Sequence, residues 1–144
     1  MTSTNKKIIG RLESVSLPDL GISSIQVKVD TGAKTSSLHV DNIEKLSIKG
    51  KPHVKFDIHP DIHNVNKIVS CTAAINDIRN VKSSNGTAET RYVIKTPLTL
   101  GADTWLVDIT LTNRSDMSYL MLFGCEAIGN RFLVDPSEVF CISE

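Results

Sequence analysis

No stretch of this chain sustains the roughly 3.6-residue apolar repeat of a long amphipathic helix. Apolar side chains instead recur at every second position, in short runs cut by turn residues. Ile25, Val27 and Val29 form one such run, and Trp105, Val107, Ile109 and Leu111 another. Leu120 to Phe123 is continuously apolar before Gly124, as suits a strand buried on both faces. Further strands are predicted at Ile8 to Leu12, Ser37 to Val40, Ile43 to Ile48, Val54 to Ile58 and Ile68 to Ile75. Phe132 to Val134 and Val139 to Ile142 close the chain. Pro18, Gly21, Gly50, Pro52 and Gly101 mark turns between the runs. Ser83-Ser84-Asn85-Gly86 predicts a hairpin over Arg79 to Ile94, because Asn and Gly both tolerate positive φ. Pro97 puts the strand from Tyr92 to Leu100 at an edge or a bulge, since proline cannot donate to a ladder. Cys125 to Asn130 reads as one helical turn. About ten short strands without a long helix predict an all-β barrel or sandwich. The 144 residues suit a single domain, with residues 1–6 as a flexible tail.

Sixteen basic and sixteen acidic side chains cancel, so no global field draws the chain to nucleic acid or to an anionic membrane. An aromatic content of 5% also argues against a base-stacking surface. Cys71, Cys125 and Cys141 are few, odd in number and far apart, which fits free thiols in a reducing compartment. The polar N-terminus and the short apolar segment behind it do not make a signal peptide or a membrane span. A cytoplasmic location is the expectation.

The run from Ile25 to Val29 leads directly into Asp30-Thr31-Gly32-Ala33, then Lys34-Thr35-Ser36-Ser37 and Leu38. An Asp at a strand end, on a glycine turn, is held rigidly, partly buried and within reach of backbone N–H groups. Those conditions turn a carboxylate into an acid or a base. The plainer reading of the same residues is a structural turn. The motif occurs once.

Asp30-Thr31-Gly32-Ala33, with Leu122-Phe123-Gly124 roughly ninety residues later, resembles a retropepsin-like aspartic peptidase subunit. Nearly the whole chain is similar to a family of bacterial and archaeal proteins labelled ATP-dependent zinc proteases (domain of unknown function 785). The similar segments are Lys28 to Leu38, Val81 to Gly86, Arg91 to Ile94, Leu111 to Arg114 with Met117, and Val134-Asp135-Pro136. The resemblance implies a retropepsin-like closed β-barrel with a flap hairpin, supplying half of an active site. It implies an aspartic endopeptidase in which Asp30, Thr31 and Gly32 are catalytic. A single Asp-Thr-Gly then requires a homodimer, with one Asp30 from each chain. The flap would be the hairpin from Arg79 to Arg91, and Ala33 would keep the floor of the cleft small. Some family members are associated with an ATP-grasp ligase that adds glutamates to a ribosomal protein, so a polyglutamate-tailed protein is an implied substrate and the ligase an implied partner. The chain shows no H-E-x-x-H, no clustered Cys/His set and no Walker-type loop, so neither a metal nor another cofactor is expected.

Local charge suits an acidic substrate. Lys28, Lys34, Arg79, Lys82 and Arg91 face only Asp30 and Glu89 over residues 26–36 and 79–91. The substrate-binding candidates are Ala33, Lys34, Lys82, Asn85, Gly86, Arg91 and Arg114, with Arg91 and Arg114 best suited to bidentate carboxylate recognition. The polar run Asp57, His59, Asp61 and His63 reads as a loop before it reads as a metal site. One position departs from the retropepsin pattern. Arginine commonly follows the apolar-apolar-glycine run, and supports the dimer through an acid just past the Asp-Thr-Gly-Ala. Here the two positions are Cys125 and Lys34, and a Glu126–Lys34 pair is a conceivable replacement. The alternative function is a non-catalytic peptide-binding module on the same fold.

Overall fold

A computed structural model of the chain describes residues 6–61, 66–82, 86–113 and 119–143. The expected site residues Asn85 and Arg114 lie outside these, as do Met117 and His63. Among these residues twelve strands run in chain order: β1 Lys7–Ile9, β2 Leu12–Leu17, β3 Ile22–Val29, β4 Ser36–His39, β5 Asp41–Ile48, β6 Lys51–Ile58, β7 Val69–Ala74, β8 Asp77–Lys82, β9 Ala88–Leu100, β10 Asp103–Thr112, β11 Met121–Phe123 and β12 Phe132–Val134. One helical turn, α1 Cys125–Ile128, stands between β11 and β12, as the sequence predicts. The expected strand from Ile8 to Leu12 is instead two elements. Gly10 interrupts it, and a side chain there would overlap the Glu138 carbonyl.

Six strands close into a barrel in the order β10, β4, β11, β3, β2, β9 and back to β10. Closure leaves these strands few free edges. β8 extends β9 outside the ring, so β8 and β9 form the predicted hairpin, with Lys82 opposite Ala88 and Gly86 at φ +84°. β5, β6 and β7 make a separate antiparallel sheet, and β1 pairs in parallel with β12. Pro97 lies inside the long β9 without a bulge. The flank of β9 that carries β8 ends at Val93 and meets β2 only at Thr99, so Pro97 falls where the ladder to β10 is the sole pairing.

The core follows from the alternation. Leu17, Ile25, Leu38, Ile94, Leu98, Ile109, Leu111 and Phe123 are fully buried, each contributing about 1.5–3 kcal/mol by leaving water. Phe56 and Ile58 join them from the three-stranded sheet. Inward positions on β2 are Glu13, Val15 and Leu17, so a carboxylate occupies a place where the pattern calls for an apolar side chain. The C-terminal segment explains it. Glu13 accepts hydrogen bonds from the Gly10, Cys141 and Ile142 N–H groups and from the Ser143 hydroxyl, at 2.7, 2.9, 3.4 and 2.6 Å. The segment Val139 to Ile142 is therefore not the expected closing strand but a tail strung along one buried carboxylate.

Glu13→Ala should destabilise the protein by roughly 3 kcal/mol or more, because buried N–H donors lose a charged acceptor. Urea denaturation measures this, and an unchanged midpoint would show that the tail is not held through Glu13. Burial, aided by the charge of Asp57, pushes the Cys71 thiol up to about 11. A thiol reagent should therefore label the exposed Cys125 and Cys141 in the folded protein and reach Cys71 only after denaturation.

Candidate active site

Asp30 follows β3, whose last residue Val29 pairs in parallel with Phe123 of β11. The Asp30 N–H continues that ladder by donating to the Phe123 carbonyl at 2.9 Å. The chain then turns. The Ala33 N–H donates to the Asp30 carbonyl at 3.2 Å, and the Gly32 N–H donates to Asp30 Oδ1 at 2.9 Å. One carboxylate oxygen is thus fixed by its own turn, while Oδ2 has no protein donor among the described residues. Asp30 is half-buried, and Thr31 and Gly32 are exposed at the apex.

The loop is anchored from below by the residues after β11. The Cys125 N–H donates to the Ala33 carbonyl at 2.7 Å and the Glu126 N–H to the Lys34 carbonyl at 2.9 Å. Between them and the barrel, the Gly124 N–H donates to the Ser36 hydroxyl at 2.9 Å. Gly124 has an ordinary extended backbone, with φ −89°. Its lack of a side chain is a matter of space: a Cβ there would lie 2.7 Å from the Thr35 carbonyl carbon and 2.8 Å from the Ser36 nitrogen.

Thr35 links this loop to the hairpin. Its hydroxyl donates to Glu126 Oε1 at 2.7 Å and accepts from Arg79 Nη1 at 3.0 Å. Arg79 Nε donates to Asp77 Oδ2 at 3.0 Å, and that bond, with the Ile78 N–H, holds the Asp77 carboxyl below the usual carboxylate range. Cross-strand partners share a face. Ser37, Thr110, Val93 and Asp77 form one row across β4, β10, β9 and β8, and Arg79 and Arg91 face each other in the next. This is the face on which Thr35 meets Arg79.

Several sequence-selected residues come together here. Asp30, Thr31, Gly32, Ala33 and Lys34 make the loop, and Arg91 belongs to the hairpin face beside it. Arg91 is bound to Glu89 at 3.2 Å, and Glu89 also accepts from Thr112. Lys82 is placed by its backbone at the end of β8, and Gly86 lies beyond it toward the hairpin tip. The suggested Glu126–Lys34 pair does not form. The Glu126 carboxylate is taken by Thr35, and only the Lys34 backbone meets Glu126. Cys125 is exposed. Sequence reasoning missed the chain Arg79–Thr35–Glu126, whose only signal was Arg79 in the local basic excess.

The polar run near residue 59 is occupied otherwise. Asp57 accepts from Asn42 and Ser70, which lowers its pKa, and His59 Nε2 lies 2.9 Å from Asp41 Oδ2. Among the described residues no group of three or more His, Cys, Asp or Glu is arranged to hold a metal ion. A cavity of about 330 Å³ opens elsewhere, lined by Ser14, Ser24, Gln26, Lys67 and Tyr119 among others. It contains no residue of the Asp30 loop or the hairpin.

Residues 8–144 match the family profile described as "Retropepsin-like aspartic endopeptidase RimB". The "Probable alpha-L-glutamate ligase" of Shewanella pealeana is 50% identical over 143 residues, and that of Desulfotalea psychrophila 44% over 132. These alignments cover 99% and 92% of this chain but only 31% and 28% of the relatives. The chain therefore spans about a third of the length of the curated relatives it matches. A crystal structure of a DUF785 protein of unknown function from Legionella pneumophila superposes with a TM-score of 0.77 at 30% identity, covering 93% of this chain and 96% of that one.

Gly124→Ala tests the anchoring directly. Overpacking between two backbone segments should cost about 1–3 kcal/mol, measured as a drop in the denaturation midpoint. An unchanged midpoint would mean that the loop can lift away without loss.

Proposed function

The chain belongs to the RimB-like family of retropepsin-like aspartic endopeptidases, and from that premise we propose that it is one subunit of a homodimeric aspartic peptidase. The observation that carries this reading is Asp30 itself: a half-buried carboxylate with one oxygen fixed by Gly32 and the other free, in the only Asp-Thr-Gly of the chain. Two such loops meeting at a twofold axis place two carboxylates side by side. Like charges at close range resist joint ionisation, so the pair keeps one proton and offers a base and an acid at the same pH. The base removes a proton from a water molecule, whose oxygen attacks the scissile carbonyl carbon. The acid protonates the carbonyl oxygen. Collapse of the resulting diol returns a proton to the leaving nitrogen and breaks the C–N bond. Thr31 and Gly32, exposed at the apex, are the residues that a second copy would meet.

The substrate class we propose is an acidic peptide, in particular a polyglutamate-tailed protein. Lys34 and Arg79 beside the loop support it, as does the glutamate ligase name of the longer relatives. Ligase chemistry and its ATP would belong to the remainder of those relatives or to a separate ligase partner. Three free thiols fit a cytoplasmic setting, and among the described residues no helix is long and apolar enough to cross a membrane. Cys125, standing where retropepsins commonly carry a dimer-supporting arginine, favours a second reading: a peptide-binding module without catalysis.

Asp30→Asn should leave fold and dimer intact and reduce hydrolysis of an oligoglutamate peptide by several orders of magnitude. Undiminished cleavage would refute the dyad. Sedimentation of the unaltered protein as a monomer, together with absent cleavage, would favour the binding module.

A further inference from the structure

Two arginines directly opposite each other on a hairpin repel, and each here has its own acid two residues earlier on the same strand face: Asp77 for Arg79 and Glu89 for Arg91. The two are not equivalent. Arg91 is 15% exposed, and both its Nε and Nη2 point to Glu89, which Thr112 holds from the other side. Its charge is spent within the hairpin. Arg79 is 36% exposed, and its guanidinium is oriented at two points, Nε by Asp77 and Nη1 by Thr35. Among the described residues Nη2 has no acceptor, nor does the second Nη1 hydrogen. A planar fork held in place on one side and open on the other is the arrangement that takes a carboxylate through two parallel bonds. Nη1, next to the open Nη2 in that fork, is the group that meets Thr35, in the loop that begins with Asp30. The Thr35 hydroxyl adds a polar floor whose own proton goes to Glu126.

We infer that Arg79 is the specificity-determining cation of this site: it receives an acidic side chain of the bound peptide over Thr35, while Arg91 stiffens the hairpin. The inference rests on the peptidase reading for its peptide, but its geometry does not depend on hydrolysis. Lys34, exposed and without an ion pair among the described residues, supplies further positive potential beside it.

The test separates binding from cleavage. Fluorescence anisotropy measures the affinity of full-chain Asp30→Asn protein for a labelled oligoglutamate peptide and for an oligoglutamine peptide of equal length. The glutamate peptide should bind more tightly, and Arg79→Gln in the same background should weaken it about tenfold while leaving the glutamine peptide unchanged. Arg79→Lys keeps the charge beside Asp77, and so the hairpin, but loses the fork; it should lose a few-fold of the preference. An undiminished preference for glutamate in both variants overturns the inference. Arg79-dependent binding sustains it even where the Asp30-bearing protein cleaves neither peptide, an outcome that would overturn the peptidase reading alone.

Discussion

A glycine that must have no side chain governs the geometry of this molecule. Gly124 passes beneath Thr35 and Ser36 so closely that a methyl group would overlap the backbone. Because it fits, the residues on either side of it bond upward into the Asp30 loop through Phe123, Cys125 and Glu126, all by main-chain groups. The main chain of the loop is therefore suspended from a core strand, the Thr35 hydroxyl is engaged by Glu126 and Arg79, and the second Asp30 carboxylate oxygen has no donor among the described residues.

Barrel topology makes that suspension possible. β3 and β11 are parallel neighbours at the centre of the ring, so both end at the same rim. Asp30 emerges there with the helical turn α1 at its foot and the β8–β9 hairpin at its side. The polar chain Arg79–Thr35–Glu126 ties the three together. Where retropepsins commonly place an arginine after the glycine, this protein joins the same region through a threonine hydroxyl and a guanidinium from a different strand. Net charge says nothing of this, since the chain is neutral overall and the cations matter only where strands gather them.

Much of this was legible in the sequence because alternation is a local property. The strands from Ile25 to Val29 and from Thr104 to Thr112, the Asn-Gly hairpin and the helical turn at Cys125 all declared themselves by period or by turn chemistry. The Asp-Thr-Gly-Ala turn and its distant Leu122-Phe123-Gly124 could be paired only through a family resemblance, since no local rule says that they touch. Three features stayed hidden because each is decided by a remote partner. Gly10 divides the first strand because Glu138 occupies the space above it. Pro97 is tolerated because β8 stops short of it and β2 meets β9 only at Thr99. Arg79 matters because Thr35, forty-four positions away, receives it.

Glu13 carries a consequence for how the chain is made. Its buried carboxylate takes donors from residues 128 to 130 positions downstream. During synthesis from the N-terminus, β2 and β3 are available long before those donors leave the ribosome. Until then the barrel wall holds an acid bonded only by the nearby Gly10 N–H, and closing the ring would bury it short of donors at high cost. The residues that complete the bonding of Glu13 thus emerge well after the hairpin they settle, and docking of that hairpin waits on a segment 128 to 130 positions downstream.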